Sequence, residues 1–150
     1  MRLALMLTLG VAGLVIGCSS EPSAPITTPV PVVPQIFPVG ANLANANLTG
    51  ALLPMADLTG ADLSGAFLYG ADLSGVNLSG ADLSEVTLVA AKLDRADLTG
   101  ANLTRANLTR AILAGANLDK ANLTGVDLTD VNLASVVGAD LKNALDIPAE

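Results

Sequence analysis

The strongest constraint in this sequence is a leucine at every fifth position. The series runs without interruption from Leu43 to Leu133, nineteen leucines in all. The residue two positions before each leucine is alanine fifteen times and valine four times. Asn or Asp usually lies between them, and Thr or Ser and then Gly usually follow the leucine. Repetition at a fixed period determines the architecture of a chain before local propensities are considered.

A period of five fits neither regular element. Five residues of α-helix advance by about 500°, so successive leucines would be spread around the whole helix. In a straight strand the side chains alternate with a period of two, so the leucine would change faces at every repeat. If the backbone turns a corner at every repeat, each small residue and its leucine point to the interior of the same coil. Asn, Asp, Ser, Thr and Gly, which separate these pairs, are the residues that turns prefer.

The tandem segments ADLTG, ADLSG, ANLTG and ANLTR are highly specific. They resemble the pentapeptide-repeat family, whose motif is A-(D/N)-L-x-x. The resemblance extends from Ala41 to about Ser135. It implies an all-β fold, a right-handed quadrilateral parallel β-helix with four repeats in each twenty-residue coil. At four repeats per coil, the nineteen repeats of residues 41–135 give about 4.75 coils.

The composition agrees with a narrow interior. The chain is 51% hydrophobic but only 2% aromatic. Aromatic rings fill much of an ordinary domain core, whereas a narrow tube lined with alanine and leucine has no room for them. The hydrophobic content also excludes a disordered acidic chain.

Residues 1–17 have the pattern of an export signal. Arg2 precedes fifteen uncharged residues, a run shorter than the roughly 20 residues that span a bilayer. The sequence Val-Ile-Gly-Cys that ends at Cys18 resembles the lipobox of bacterial lipoproteins. The resemblance implies that Cys18 is lipidated and becomes the new N-terminus, which anchors the protein to a membrane of the bacterial cell envelope. Ser19, rather than Asp, favours the outer membrane if the organism is diderm.

Two alternatives to lipidation remain open for this segment. The signal peptide can be cleaved without lipidation, or it can remain as an uncleaved anchor. Lipidation also accounts for the single cysteine of the chain, since Cys18 then has no role in a disulfide or in catalysis.

Residues 18–40 are predicted to form a proline-rich tether. Proline fixes φ and removes amide donors, so this segment is expected to be extended and partly polyproline II. Its second half is apolar. Packing of that half against the first coil is therefore the alternative to a free tether.

The register of the repeat breaks near the C-terminus. Val136-Val137-Gly138 precede a motif that resumes at Ala139. Because an exposed last coil presents unpaired backbone groups, residues 136–150 are predicted to cap the solenoid. A short helix is expected around Leu141 to Leu145.

No set of residues predicts catalysis, a cofactor or a metal site. The chain has no histidine, the commonest general base and metal ligand. Its repeated aspartates occupy equivalent turn positions, whereas catalytic carboxylates need environments that separate their pKa values. These aspartates are Asp57, Asp62, Asp72, Asp82, Asp97 and Asp127. The sequence therefore predicts a protein that is not an enzyme.

Large apolar residues replace polar ones at a few outward positions. With twenty residues in a coil, Phe67 and Tyr69 stack directly on the equivalent pair of the next coil. Such patches mark interaction sites in many proteins. Scattered sequence drift, covered by the valine-rich linker, is the alternative. The predicted patch, for a protein partner whose identity the sequence does not give, is Leu52, Met55, Phe67, Tyr69 and Val89.

The net charge of −7 is unevenly distributed. Residues 57–85 contain five acidic residues and no basic one. The basic residues of the later repeats map to all four faces and form no stripe of the kind that binds nucleic acid. They are Lys92, Arg95, Arg105, Arg110 and Lys120.

These features predict a rigid, non-catalytic solenoid anchored to the envelope through Cys18, acting as a scaffold or as a protein-interaction surface. The family resemblance implies one alternative. Some pentapeptide-repeat proteins are acidic mimics of DNA that bind DNA gyrase, and this chain would then be a cytosolic acidic mimic of DNA that binds DNA gyrase or another topoisomerase.

Overall fold

The computed structural model describes residues 37–145, which lie within one compact unit, Pro34–Glu150. Across residues 37–145 the backbone contains no helix and no continuous strand. It alternates between turns and single-residue parallel β-bridges. The predicted signal peptide (1–17), Cys18 and most of the predicted tether lie outside the described residues, as do residues 146–150.

The bridges establish a coil of twenty residues. Asn42 pairs with Asp62, and Asp62 pairs in turn with Asp82. Four such series run in parallel, one on each side of the coil, and we number these faces in chain order. The bridged outward residues are Asn42, Asp62, Asp82, Asn102 and Asn122 on face 1; Asn47, Phe67, Thr87, Asn107, Asp127 and Leu145 on face 2; Leu52, Asp72, Lys92 and Ile112 on face 3; and Asp57, Asn77, Asp97, Asn117 and Val137 on face 4.

Each repeat is held by the same backbone hydrogen bonds. The N–H of Leu73 donates to the carbonyl of Lys92 in the next coil (2.8 Å), and the N–H of Asp72 donates to Ala51 in the preceding coil (2.8 Å). At the corner, the N–H of Val76 donates to the carbonyl of Leu73 (3.1 Å) and closes a β-turn. Because three bonds of this kind recur in nearly every repeat, the polar backbone is satisfied although the side chains inside are apolar.

The interior consists of the leucines and the small residues two positions before them. The leucines from Leu53 to Leu118 are at most 1% exposed, and no polar or charged residue is buried between residues 37 and 145. The inside and outside positions inferred from the period of five are therefore those of the structure. The outward positions carry whatever binding the described part of the protein performs.

The hydrogen bonding of the solenoid begins before the first leucine of the repeat. The N–H of Ala41 donates to Pro38 (2.9 Å), and the N–H of Gly40 donates to Thr59 (3.1 Å). These are the bonds of an ordinary corner, and Gly40 has the positive φ of 71° found at the other corners. The last residues of the predicted tether thus belong to the solenoid, with proline at the position that leucine occupies elsewhere.

The C-terminal break in register is a repeat shortened to three residues. Val137 bridges Asn117 on face 4, as a residue in normal register would. Gly138 then crosses directly over Asp119, where a Cβ on the glycine would lie 2.6 Å from the Cα of Asp119. The chain therefore turns two residues early and continues the coil.

The predicted helix around Leu141 to Leu145 is wrong. The N–H of Ala144 donates to Leu141 (3.1 Å), which is the β-turn of another repeat, and Leu145 bridges Asp127. Ala-Asp-Leu at 139–141 repeats the inward spacing of the solenoid, and this pattern suits a further corner better than a helix. Up to Leu145 the segment predicted as a cap is thus a continuation of the solenoid.

Candidate interaction surface

The outward Asn and Asp side chains build the corners. The Oδ1 atom of Asp72 accepts hydrogen bonds from the backbone N–H of Ser74 (3.1 Å) and from its hydroxyl (2.7 Å). Asn77 makes the same two bonds with Ser79, at 3.1 and 2.8 Å. Asn and Asp are equivalent in this turn because only one oxygen is used. The choice between them sets the charge of the surface without changing the fold.

Hydrogen bonds from Ser and Thr hold the pKa of several of these carboxyls below its ordinary value. For Asp72 the main cause is the hydroxyl of Ser74, and for Asp97 it is the hydroxyl of Thr99. Donors to the ionised form stabilise it. These carboxylates are ionised near neutral pH and occupy equivalent environments, as a turn requires. The pKa is lowered in Asp57, Asp72, Asp82, Asp97 and Asp127.

Side-chain hydrogen bonds also connect successive coils. On face 1 the amide of Asn102 donates to the carboxylate of Asp82 (3.1 Å), and on face 4 the amide of Asn117 donates to the hydroxyl of Thr99 (2.9 Å). These two faces are therefore flat, polar and internally hydrogen-bonded. Some of the side chains on these faces therefore already hydrogen-bond to one another.

Face 2 carries the aromatic half of the predicted patch. Phe67 is 52% exposed and Tyr69 is 55% exposed. Phe67 bridges Thr87, and the carbonyl of Val89 accepts a hydrogen bond from Gly70, directly after Tyr69 (2.9 Å). The structure thus brings Phe67, Tyr69 and the half-buried Val89 together on one face.

Leu52 and Met55 lie on face 3 and at its far corner, in the preceding coil. Leu52 is 72% exposed and bridges Asp72. The sulfur of Met55 lies over Gly75, where it occupies the space that a Cβ would need. We call the residues on these two adjoining faces the apolar patch: Leu52, Met55, Phe67, Tyr69 and Val89.

Acidic residues border the apolar patch, and the patch predicted from the sequence did not include them. Asp62 and Asp72 lie five residues before and five residues after Phe67, on the two faces that adjoin face 2. Lys92 lies 3.6 Å from the Asp72 carboxylate, with both groups in contact with solvent. The twenty-residue period was the signal that places these residues together. It groups the acidic positions in the same way as the apolar ones.

Two further properties concern the described residues as a whole. Between residues 37 and 145, no three His, Cys, Asp or Glu side chains are grouped so that they could hold a metal ion. In the same part of the chain there is also no helix with the length and apolar character needed to cross a membrane. Cys18, the predicted lipidation site, lies outside this part.

The repeat geometry agrees with a match to a protein family. The family model described as pentapeptide repeats (8 copies) matches overlapping segments at residues 41–80, 81–117, 91–130 and 107–145. The chain belongs to the pentapeptide-repeat family. Membership of this family, together with the similar solved structure of a pentapeptide-repeat protein, implies a right-handed quadrilateral β-helix for this chain, which confirms the predicted fold class at that level. Members of the family are generally structural or interaction proteins and not enzymes.

Several solved pentapeptide-repeat proteins are similar to this chain. One from the thylakoid lumen of Arabidopsis thaliana is 36% identical, with a TM-score of 0.64, and the match covers 65% of this chain and 68% of that chain. One from the cyanobacterium Cyanothece 51142 is also 36% identical, with a TM-score of 0.39, and the match covers 73% and 90%. QnrB1, a plasmid-mediated fluoroquinolone resistance protein, is 23% identical with a TM-score of 0.40, covering 69% and 68%. Among curated proteins none matches the sequence.

Proposed function

We propose that this pentapeptide-repeat protein is a non-catalytic lipoprotein of the bacterial envelope whose solenoid is a rigid scaffold and protein-interaction surface. The observation that carries the proposal is the combination of the sequence pattern of an export signal at residues 1–17, directly before Cys18, with a solenoid in which no polar side chain is buried between residues 37 and 145. Nothing buried in the described residues is titratable. The polar groups that this part of the chain offers to a partner therefore lie on its surface.

The sequence before the solenoid supports the anchor. An uncharged run of fifteen residues ends at the only cysteine of the chain, and a proline-rich segment follows it. Acylation at Cys18 would hold the protein at a membrane, because two or more acyl chains give stable anchoring. The similar Arabidopsis protein comes from the thylakoid lumen, and this supports the compatibility of such a solenoid with a compartment on the far side of a membrane.

Metabolic labelling with a fatty acid tests the anchor. The wild-type chain should incorporate label and fractionate with membranes, and C18A should lose both, since no other cysteine is present. Ser20→Ala is the matched control and should keep the label. Unchanged labelling and fractionation in C18A would overturn the lipoprotein proposal.

The cytosolic DNA-mimic alternative predicts a different location. It requires the protein to be found in the cytoplasm with residues 1–17 retained, and to inhibit DNA gyrase in a supercoiling assay. The acidic residues of positions 57–85 are the feature that such a mimic would use. Cell fractionation with mass spectrometry of the mature N-terminus separates the two functions.

A further inference from the structure

Phe67 and Tyr69 are presented by a rigid backbone. The N–H of Phe67 donates to Ala46 in the preceding coil (2.9 Å), and the N–H of Leu68 donates to Thr87 in the next coil (2.8 Å). The side chains above and below the two rings in register are Asn, Thr and Val, all of them smaller. The rings therefore project from a backbone that is already fixed, and only the two torsions of each side chain have to be ordered when they bind a partner.

The surface beside these rings is negative. Asp62 and Asp82 follow each other along face 1, and Asp72 lies on face 3. Hydrogen bonds from Ser84 lower the pKa of Asp82, so that this carboxyl is ionised at neutral pH. Within residues 37–145 the salt bridges involve neither Asp62 nor Asp82. Neither carboxylate is neutralised by a basic residue in this part of the chain, so their negative charge can attract a cation from a partner, although Asp82 also accepts a hydrogen bond from the amide of Asn102 (3.1 Å).

We propose that the apolar patch docks a protein segment in which apolar side chains alternate with lysine or arginine. The apolar groups of the segment pack on Phe67 and Tyr69, and its cations lie beside Asp62 and Asp82. Aromatic anchors surrounded by charges of the opposite sign give both affinity and correct orientation at interfaces. The proposal rests on the role of the solenoid as a protein-interaction surface, and it does not depend on the lipid anchor.

The same charges argue against two other occupants. In a symmetric dimer the apolar patches of two copies would face each other, and the aspartates of both copies would be brought together. The surface of an anionic bilayer would likewise repel Asp62 and Asp82, which are in no salt bridge within residues 37–145. A basic protein segment is the occupant that this border attracts.

Tyr69 allows the docking to be measured directly. It is the only tyrosine in a chain that has no tryptophan, so its fluorescence reports on the apolar patch alone. The probe is a short peptide in which leucines are separated by lysines, free of Tyr and Trp, titrated into the full chain in phosphatidylcholine vesicles. We expect a saturable change in Tyr69 emission, and no change with the peptide in which glutamate replaces lysine.

Two variants test the two parts of the surface. Phe67→Thr installs the residue that the next coil has at this position, and it should weaken the peptide about tenfold. The double variant D62N/D82N keeps the turn bonds, because Asn102 accepts the same bonds from Thr104. It should weaken binding several-fold at low salt, with the difference disappearing at high salt as the charges are screened.

The matched control is D57N/D97N, which removes the same charge from face 4, opposite face 2. It should bind the peptide as the wild type does. Equal weakening by the control, or equal binding of the glutamate peptide, would overturn the proposal, since the attraction would then not arise at the apolar patch. A response of Tyr69 to phosphatidylglycerol vesicles alone, or to protein concentration with an increase in size, would also overturn it and would identify a membrane or a second copy as the occupant.

Failure of this titration and failure of the lipoprotein proposal are distinguishable. Loss of fatty-acid labelling in cells leaves the response of Tyr69 to the peptide unchanged. A negative titration leaves the labelling unchanged.

Discussion

The last residue of nearly every repeat adopts a left-handed backbone conformation. Glycine occupies this position in eleven corners, and Gly75 has a φ of 66°. At nine corners a residue with a side chain takes the same conformation, with φ between 55° and 59°. A Cβ in this region costs about 1–2 kcal/mol, so each of these corners stores strain that the hydrogen bonds on either side must overcome.

Ala90→Gly is therefore predicted to stabilise the protein. Ala90 has a φ of 56°, and its methyl side chain offers no polar group to the corner. Replacement by glycine therefore relieves the strain, and its only cost is backbone entropy. The expected gain is about 1 kcal/mol in the free energy of unfolding, measured by urea denaturation. Gly100→Ala is the reverse control, since Gly100 has a φ of 65° and nothing lies within 4 Å of an added Cβ. Gly100→Ala should lower the free energy of unfolding by about as much. A lower free energy of unfolding in Ala90→Gly would contradict the strain proposed for this corner.

At the scale of the element, the corner depends on ionised carboxylates. The pKa of the carboxyls in Asp72, Asp82 and Asp97 is lower in the folded chain than in the unfolded chain, because Ser and Thr donate to the ionised form. Their contribution to stability is complete above the unfolded pKa of about 4 and is lost as the pH falls through the lower folded pKa.

We therefore predict a thermal midpoint that is flat from pH 7 to about pH 5 and falls below about pH 4. Circular dichroism melts measure it. Asp97→Asn retains the turn bonds and removes one titrating group, so its midpoint should fall less steeply in acid than that of the wild type. A midpoint that already falls between pH 7 and pH 5 would contradict this assignment, since the chain has no histidine to titrate there.

The shortened repeat at residues 136–138 is a second property of an element. Gly138 combines a φ of 75° with contacts that leave no room for a side chain, because an added Cβ would lie 2.6 Å from the Cα and 2.8 Å from the N of Asp119. Both atoms belong to the backbone and cannot move aside. The close crossing is what allows the chain to turn after three residues.

Gly138→Ala should consequently disrupt the last coil. We expect a loss larger than the approximately 1 kcal/mol of Gly100→Ala, which has the same kind of φ but open space around it. Hydrogen exchange should rise at the amide of Leu118, which donates to Val137 (2.8 Å). Equal losses in the two variants would show that the crossing at Asp119 is not tight.

At the scale of the whole molecule, each coil contacts only its neighbours. Stability in such a solenoid is close to a sum of coil and interface terms, so the ends are weaker than the middle. Leu93, in a middle coil, is fully buried, whereas Leu133 on the same face of the last coil is only half-buried. In that coil Ser135 supplies its hydroxyl, in place of a backbone carbonyl, to the N–H of Gly115 (3.1 Å).

Leu93→Ala is predicted to cost about 2–5 kcal/mol, as a cavity in a rigid core does. Leu133→Ala should cost about 1 kcal/mol or less, because the side chain is partly in solvent already. Urea denaturation of both variants gives the comparison. Similar losses would contradict a solenoid that is weaker at its C-terminal end.

Much of the surface that we propose to bind a partner was predictable from the sequence. The outward position of Phe67 and Tyr69 follows from the buried Leu68 between them, because alternate residues of an extended segment point to opposite sides. Their grouping with Val89 follows once twenty residues make a coil. The contact of Met55 with Gly75 depended on the direction of a flexible side chain at a strained corner, which no sequence pattern specifies.

The sequence by itself determined which side chains lie inside. A leucine at every fifth position can be buried in every repeat only if all the leucines face one common interior. It did not determine how many corners close a coil, because a period of five requires a corner but not an angle. Bridges between residues twenty apart, such as Asn77 and Asp97, decide that number. Within residues 37–145, the tertiary structure also decided that the coil continues beyond the leucine series, from Pro38 on one side and through Val137 to Leu145 on the other. At both places hydrogen bonds to the neighbouring coil hold the backbone without a leucine, since Gly40 donates to Thr59 and Val137 donates to Ala116.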